Sequence, residues 1–180
     1  RVRSSAASDV YKRQTLLRND ILSRYPHLTV MKSISKSYGV PGLRLGVLAS
    51  ADKELIEWMR KDVAIWNINS FAEFYMQIFG KYEDDYRQAS RLFVEERARF
   101  QKELSAISWL RVIPSQANYF LCEVLDKYTS KDLLKLLLIK YGVLIKDCST
   151  KSGFEGRNYI RIAVRGKADN DKLVESLKKL

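Results

Sequence analysis

Residues 33–46 read SISKSYGVPGLRLG: one lysine, Lys36, set among serines and followed by three glycines and an arginine. The segments on either side, HLTVMKSI and RLGVLAS, are β-branched and apolar and predict two strands. The loop is therefore expected on a rigid scaffold, which is where precise side-chain placement is easiest. Ser33, Ser35 and Ser37 offer hydroxyls, and Arg44 offers a planar fork that suits phosphate. Gly39, Gly42 and Gly46 allow tight turning and a close approach of ligand to backbone. The pattern is not a Walker P-loop, because the lysine precedes the glycines.

A lysine beside an anion site has one direct chemistry. Its amine can form a Schiff base with an aldehyde whose phosphate the neighbouring residues hold, as pyridoxal phosphate requires. A solvated glycine-rich hairpin would use the same residues, and spacing alone leaves both readings open.

Working outward, the chain has 180 residues, enough for one good core or two small ones. No apolar run approaches the roughly 20 residues that span a bilayer, so no membrane partner is expected. Cys122 and Cys148 make no disulfide framework, and with a single histidine, His27, no metal site is expected. A reducing, cytoplasmic setting fits. The net charge of +11 raises a nucleic-acid reading, but the basic residues alternate with acidic ones, as in EERARFQKE. Without a basic block or a DNA-binding motif, a solvated basic surface or a small-anion site fits better.

The opening fourteen residues, RVRSSAASDVYKRQ, resemble translated sequencing-adapter read-through and are expected to be non-native. From residue 15 the periodicity predicts a short helix over 15–25, then the two strands around the lysine loop. A helix over DKELIEWMRKD follows, with Asp52 as N-cap. Ser70 and Glu73 read as a capping box opening a helix that ends at Gly80. A long charged helix then runs from about Tyr82 to Ser105 with Phe93, Val94 and Phe100 as its apolar stripe. Beyond it, WLRVI, NYFLCEV, VLIKD and YIRIAV are strands. The helix KDLLKLLLIKY carries Thr129 as its cap and Gly142 as its stop, and DNDKLVESLKKL closes the chain. The expected domains are 15–81, a linking helix over 82–106, and a small α+β domain over 107–180.

The motif S-x-S-K-x-x-G-x-x-G-L-R-x-G resembles the cofactor-lysine motif of fold-type I pyridoxal-phosphate enzymes, the class I/II aminotransferases. It is most similar to the histidinol-phosphate aminotransferase and threonine-phosphate decarboxylase branch. The resemblance covers residues 15–180 and implies an α/β fold. In it, 15–81 is the C-terminal part of the cofactor-binding large domain and 107–180 the small domain. By the same resemblance Lys36 is the catalytic lysine, Ser33 and Arg44 bind the cofactor phosphate, and Ser35 assists. In NYIRIAVRGK, Arg161 matches the arginine that grips the substrate's acidic group, while Arg165 is read as structural. GVLIKDCS resembles a segment whose basic residue is usually arginine and helps bind a phosphorylated substrate; here it is Lys146, which keeps the charge and loses the fork.

The implied protein is a homodimeric aminotransferase acting on an amino acid or phosphorylated amine. Alternatives are a decarboxylase of the threonine-phosphate type, or a cofactor-free anion- or nucleic-acid-binding fragment. The family's pyridine-nitrogen aspartate and first phosphate loop have no counterpart in the sequence. The chain alone is thus expected to be an inactive C-terminal fragment of reduced stability.

Overall fold

The computed structural model describes residues 15–154 and 156–180, so the fourteen residues expected to be foreign lie outside the described part. The fold is mixed α and β, and the chain divides into two compact units with the boundary between Ala89 and Ser90.

The first unit begins with helix α1 (Asn19–Arg24), shorter than the periodicity of 15–25 suggests. Strands β1 (Thr29–Ser33) and β2 (Gly46–Ser50) pair antiparallel, from Thr29 opposite Ser50 to Ser33 opposite Gly46. Everything between Ser33 and Gly46 is the connection that this pair closes. It is not an open loop, because Ile34–Ser37 form a one-turn helix, α2, and Pro41–Leu43 a 3-10 turn. Proline at the start of that turn is favoured by its fixed φ. Helix α3 (Lys53–Lys61) is capped by Asp52, whose side chain accepts from the Leu55 amide at 2.9 Å. Helix α4 (Ser70–Phe79) begins one residue earlier than the capping-box reading requires. Its N-cap is Asn69, which accepts from the Ala72 amide at 3.0 Å. Asparagine caps as well as serine does, and the residue that takes the extended backbone becomes the cap.

Helix α5 (Glu83–Ser105) has the extent expected for the long charged helix and crosses the boundary between the units. In the second unit its buried face is Arg97, Phe100 and Leu104, a spacing of three to four that one side of a helix requires. The sheet of this unit has four antiparallel strands in the order β3 (Leu110–Ile113), β4 (Tyr119–Val124), β6 (Tyr159–Ala163) and β5 (Lys146–Asp147). Along β4 the side chains alternate, with Phe120, Cys122 and Val124 buried and Tyr119, Leu121 and Glu123 more open. Phe120, Ile160 and Ile162 join Leu133 and Leu137 of α6 (Ser130–Tyr141) and Leu173, Val174 and Leu177 of α7 (Lys167–Lys178) in one core. Each fully buried side chain of this kind is worth about 1.5–3 kcal/mol in burial. Gly142 stops α6 at φ +63, a conformation that costs a side-chain-bearing residue about 1–2 kcal/mol. The apolar face of the sheet is thus covered by helices, and its other face carries Tyr119, Leu121, Lys146 and Arg161.

Among the described residues no helix is long and apolar enough to cross a membrane.

Candidate active site

The lysine stretch is held by contacts that leave its cations uncommitted. The Ile34 amide donates to the Leu45 carbonyl at 3.1 Å, and the Tyr38 amide to the Ile34 carbonyl at 3.1 Å. These bonds close the turn that carries Lys36. Gly39 follows it at φ +68, where glycine is nearly free of strain. The Ser37 carbonyl accepts from the Tyr86 hydroxyl at 2.9 Å, and the Tyr38 ring stacks on Tyr86 at 4.7 Å and meets Phe79 edge-on at 5.0 Å. The first turn of α5 therefore fixes the far end of α2. On the other side of the connection, the Asn69 side-chain amide donates to the Leu43 carbonyl at 2.8 Å while the same side chain caps α4.

Arg44 has φ 52, one of two non-glycine residues at positive φ among the described residues. Such a backbone costs about 1–3 kcal/mol and persists where the surroundings enforce it, commonly at functional sites. Here the enforcement is visible: Leu43 is tied to Asn69, and Leu45 is buried and bonded to Ile34. The Arg44 guanidinium is exposed and, among the described residues, meets only its own turn, at the Pro41 carbonyl, 3.5 Å away. Lys36 is exposed, and its amine has no acceptor among the described residues. Ser33 is exposed at the neck of the connection, whereas Ser35 is buried, at 7% exposure, and is the least available of the three serines. Residues 33–46 contain no carboxylate. A primary amine, a guanidinium and serine hydroxyls, all leaving one closed neck and unneutralised, fit a phosphorylated aldehyde.

In the second unit, Lys146 of β5 stands directly opposite Arg161 of β6, and both are exposed. On its other side Arg161 faces Leu121 of β4, and its guanidinium lies 5.2 Å from the centre of the Tyr119 ring. Neither cation has a carboxylate partner among the described residues. Other arginines of this unit do: Arg165 pairs with Asp169 at 2.7 Å, Arg99 with Glu96 and Asp171 at 2.7 Å each, and Arg111 with Glu123. The nearest carboxylate in sequence, Asp147, is engaged elsewhere, accepting from the Ser149 amide at 2.9 Å and hydroxyl at 2.8 Å. Burial opposes its ionisation, but those bonds prevail and hold its carboxyl below the usual range.

Three contributors were not legible as site elements. Asn69 and Tyr86 act through backbone carbonyls of the lysine connection, and Tyr119 acts on Arg161 across the sheet. Asn69 had a signal, an asparagine just before a helix. The tyrosines had none, since aromatic residues on helices and strands are most often core.

The sequence and the fold have counterparts in known proteins. The model of the family described as aminotransferase class I and II matches residues 5–177, beginning inside the opening fourteen. The chain belongs to that family, whose members use pyridoxal phosphate, the cofactor expected from the lysine stretch. It is 34% identical over 160 residues to the L-serine phosphate decarboxylase of Campylobacter jejuni, covering 87% of this chain and 40% of that one. It is 35% identical over 156 residues to the threonine-phosphate decarboxylase of Salmonella typhimurium, covering 85% and 41%. Its fold matches the crystal structure of histidinol-phosphate aminotransferase from Clostridium acetobutylicum with a TM-score of 0.82 at 26% identity, covering 98% of this chain and 52% of that one. The fold class is accordingly that of fold-type I enzymes. The chain spans less than half the length of the two curated relatives and about half of the solved structure.

Proposed function

We propose that the protein carrying this chain is a pyridoxal-phosphate enzyme acting on a small phosphorylated amino acid, and that it releases the carboxylate as carbon dioxide. The substrate class rests on one observation, the facing of Lys146 and Arg161 across β5 and β6 with no carboxylate among the described residues to neutralise either. Two adjacent cations match a dianionic phosphate, or a phosphate and a carboxylate together. The likeness to serine- and threonine-phosphate decarboxylases supports the choice of bond. Amino-group transfer, the activity put first from the sequence, is the second reading and is supported by the likeness to histidinol-phosphate aminotransferase.

When bound, pyridoxal phosphate supplies an electrophilic aldehyde and a ring that takes up the electron pair released at the substrate's α-carbon. The roles of this chain are as follows. Lys36 holds the cofactor through its amine. Ser33 and Arg44 bind the cofactor phosphate, with Ser35 behind them. Arg161 and Lys146 orient the substrate through its anionic groups. The Lys36 amine would also serve as a proton carrier. It delivers a proton to the α-carbon after the carboxylate leaves, or withdraws one from it in the transfer reaction. A homodimeric working form in the cytoplasm completes the reading, as the resemblance implies.

The test uses the full-length protein that carries this chain. Borohydride reduction of the cofactor-loaded protein should fix the cofactor on the peptide containing Lys36. Lys36→Ala should abolish both that adduct and the visible absorbance, and lower turnover by at least ~10²-fold. With O-phospho-L-serine or O-phospho-L-threonine, release of carbon dioxide supports the first reading. Oxoacid-dependent amino transfer without that release replaces it with the second. If no cofactor is retained, both give way to a cofactor-free anion-binding protein.

A further inference from the structure

Arg161 is held in an unusual way. The position facing it on β5 is Lys146, a like charge. Side chains at facing positions have Cβ atoms about 4.5–5.5 Å apart, and like charges there repel. The facing position on β4 is Leu121, which offers no hydrogen bond. Two residues along β4 from Leu121 comes Tyr119, a diagonal neighbour within reach of long side chains. Its ring centre is 5.2 Å from the guanidinium carbon. The Tyr119 hydroxyl has no hydrogen-bond partner among the described residues, and the residue is 39% exposed. The ring face is therefore what Tyr119 contributes to this surface.

A carboxylate would hold an arginine too, as it does for Arg165 and Arg111, but it would occupy the donor fork and cancel the charge. An aromatic face holds the cation and leaves its N–H donors free. We propose that Tyr119 is a positioning residue, a platform that steadies the Arg161 guanidinium against Lys146 and keeps its donors available to the substrate's phosphate or carboxylate. This rests on Arg161 being an anion-binding residue, as proposed above.

The test measures binding of O-phospho-L-serine and of inorganic phosphate by calorimetry, in the full-length, cofactor-loaded protein. Tyr119→Phe keeps the ring face and should bind both within error of the parent. Tyr119→Leu keeps apolar bulk without the ring, and should weaken binding about two- to five-fold, the size of an exposed cation–π contact. In steady-state assays the same loss should fall on KM, with kcat unchanged. In an Arg161→Ala background, Tyr119→Leu should have no further effect. Arg161→Ala that leaves binding unchanged overturns the anion-site reading and the platform with it. Weakened binding in Arg161→Ala but parental binding in Tyr119→Leu overturns the platform alone. Equal weakening by Phe and Leu also overturns it, since the hydroxyl would then be the active group.

Discussion

At the scale of single residues, the lysine connection is governed by side chains that satisfy its backbone and so leave Lys36 and Arg44 uncommitted. Tyr86 shows this most directly. Its hydroxyl donates to the Ser37 carbonyl at 2.9 Å, and its ring stacks on Tyr38. Tyr86→Phe removes the hydroxyl and keeps the ring, so it isolates the hydrogen bond. A net loss of about 0.5–1.5 kcal/mol is expected, read as a lower denaturant midpoint in the cofactor-loaded protein. Cofactor retention should fall with it, because the turn that carries Lys36 loses its fastening. The two cysteines make a contrast. Both are free and buried, and burial pushes the Cys122 thiol up to about 12, the behaviour of a core residue and not of a nucleophile.

At the scale of elements, α5 and α7 are joined by charge. Arg99 on α5 bonds Glu96 on the same helix and Asp171 on α7, and Asn170 donates to Glu96 at 2.8 Å. The Arg99 bond holds the Glu96 carboxyl below its ordinary range, with burial opposing and Asn170 assisting. Asp171 is lowered first by Lys167 and then, against burial, by Arg99. A carboxylate with a depressed folded pKa stabilises the fold above its unfolded pKa, and that stability is lost as pH falls through the folded value. The urea midpoint should therefore drop on acidification below about pH 4. Arg99→Gln should lower the midpoint at neutral pH, and its difference from the parent should shrink in acid. A difference that grew in acid would place the network's contribution elsewhere.

At the scale of the whole molecule, the two units differ in how much apolar surface each hides. Among the described residues, Val30, Leu45 and Ala72 are the buried apolar side chains of the first unit, and all the others lie in the second. Ile65 and Trp66 of the first unit are 92% and 89% exposed. Opening free energy follows buried apolar contact, so the units should not protect their amides equally. Hydrogen exchange on the 180-residue chain should find the slowest amides in β4 and β6 and early exchange in β1 and β2. Equal protection would mean that the first unit has a core of its own that these side chains do not reveal. The imbalance supports the reduced stability expected of the chain alone.

How much of this could be read from the sequence follows from the range of the forces involved. The lysine motif, the strands flanking it, the long helix and its length, and the Asp52 and Thr129 caps were all legible. Each depends on residues within a few positions of one another. Lys36, Ser33 and Arg44 lie within one short connection, so their nearness to one another was legible too, while the roles proposed for them rest on the resemblance. The departures come where neighbours compete or where long-range contact decides. The cap moved from Ser70 to Asn69 because two adjacent residues can both cap. The loop became a helical turn because Tyr86, 49 residues from Ser37, accounts for one of its carbonyls. The facing of Lys146 and Arg161, and the ring of Tyr119 beside them, belong to strand register. Local composition fixes which residues a turn or helix end can use, and so it determined the chemistry on offer around Lys36. Register and burial are set only when distant strands pair and exclude water. They alone decided that Arg161 stands beside a second cation and an aromatic ring, with no carboxylate partner among the described residues.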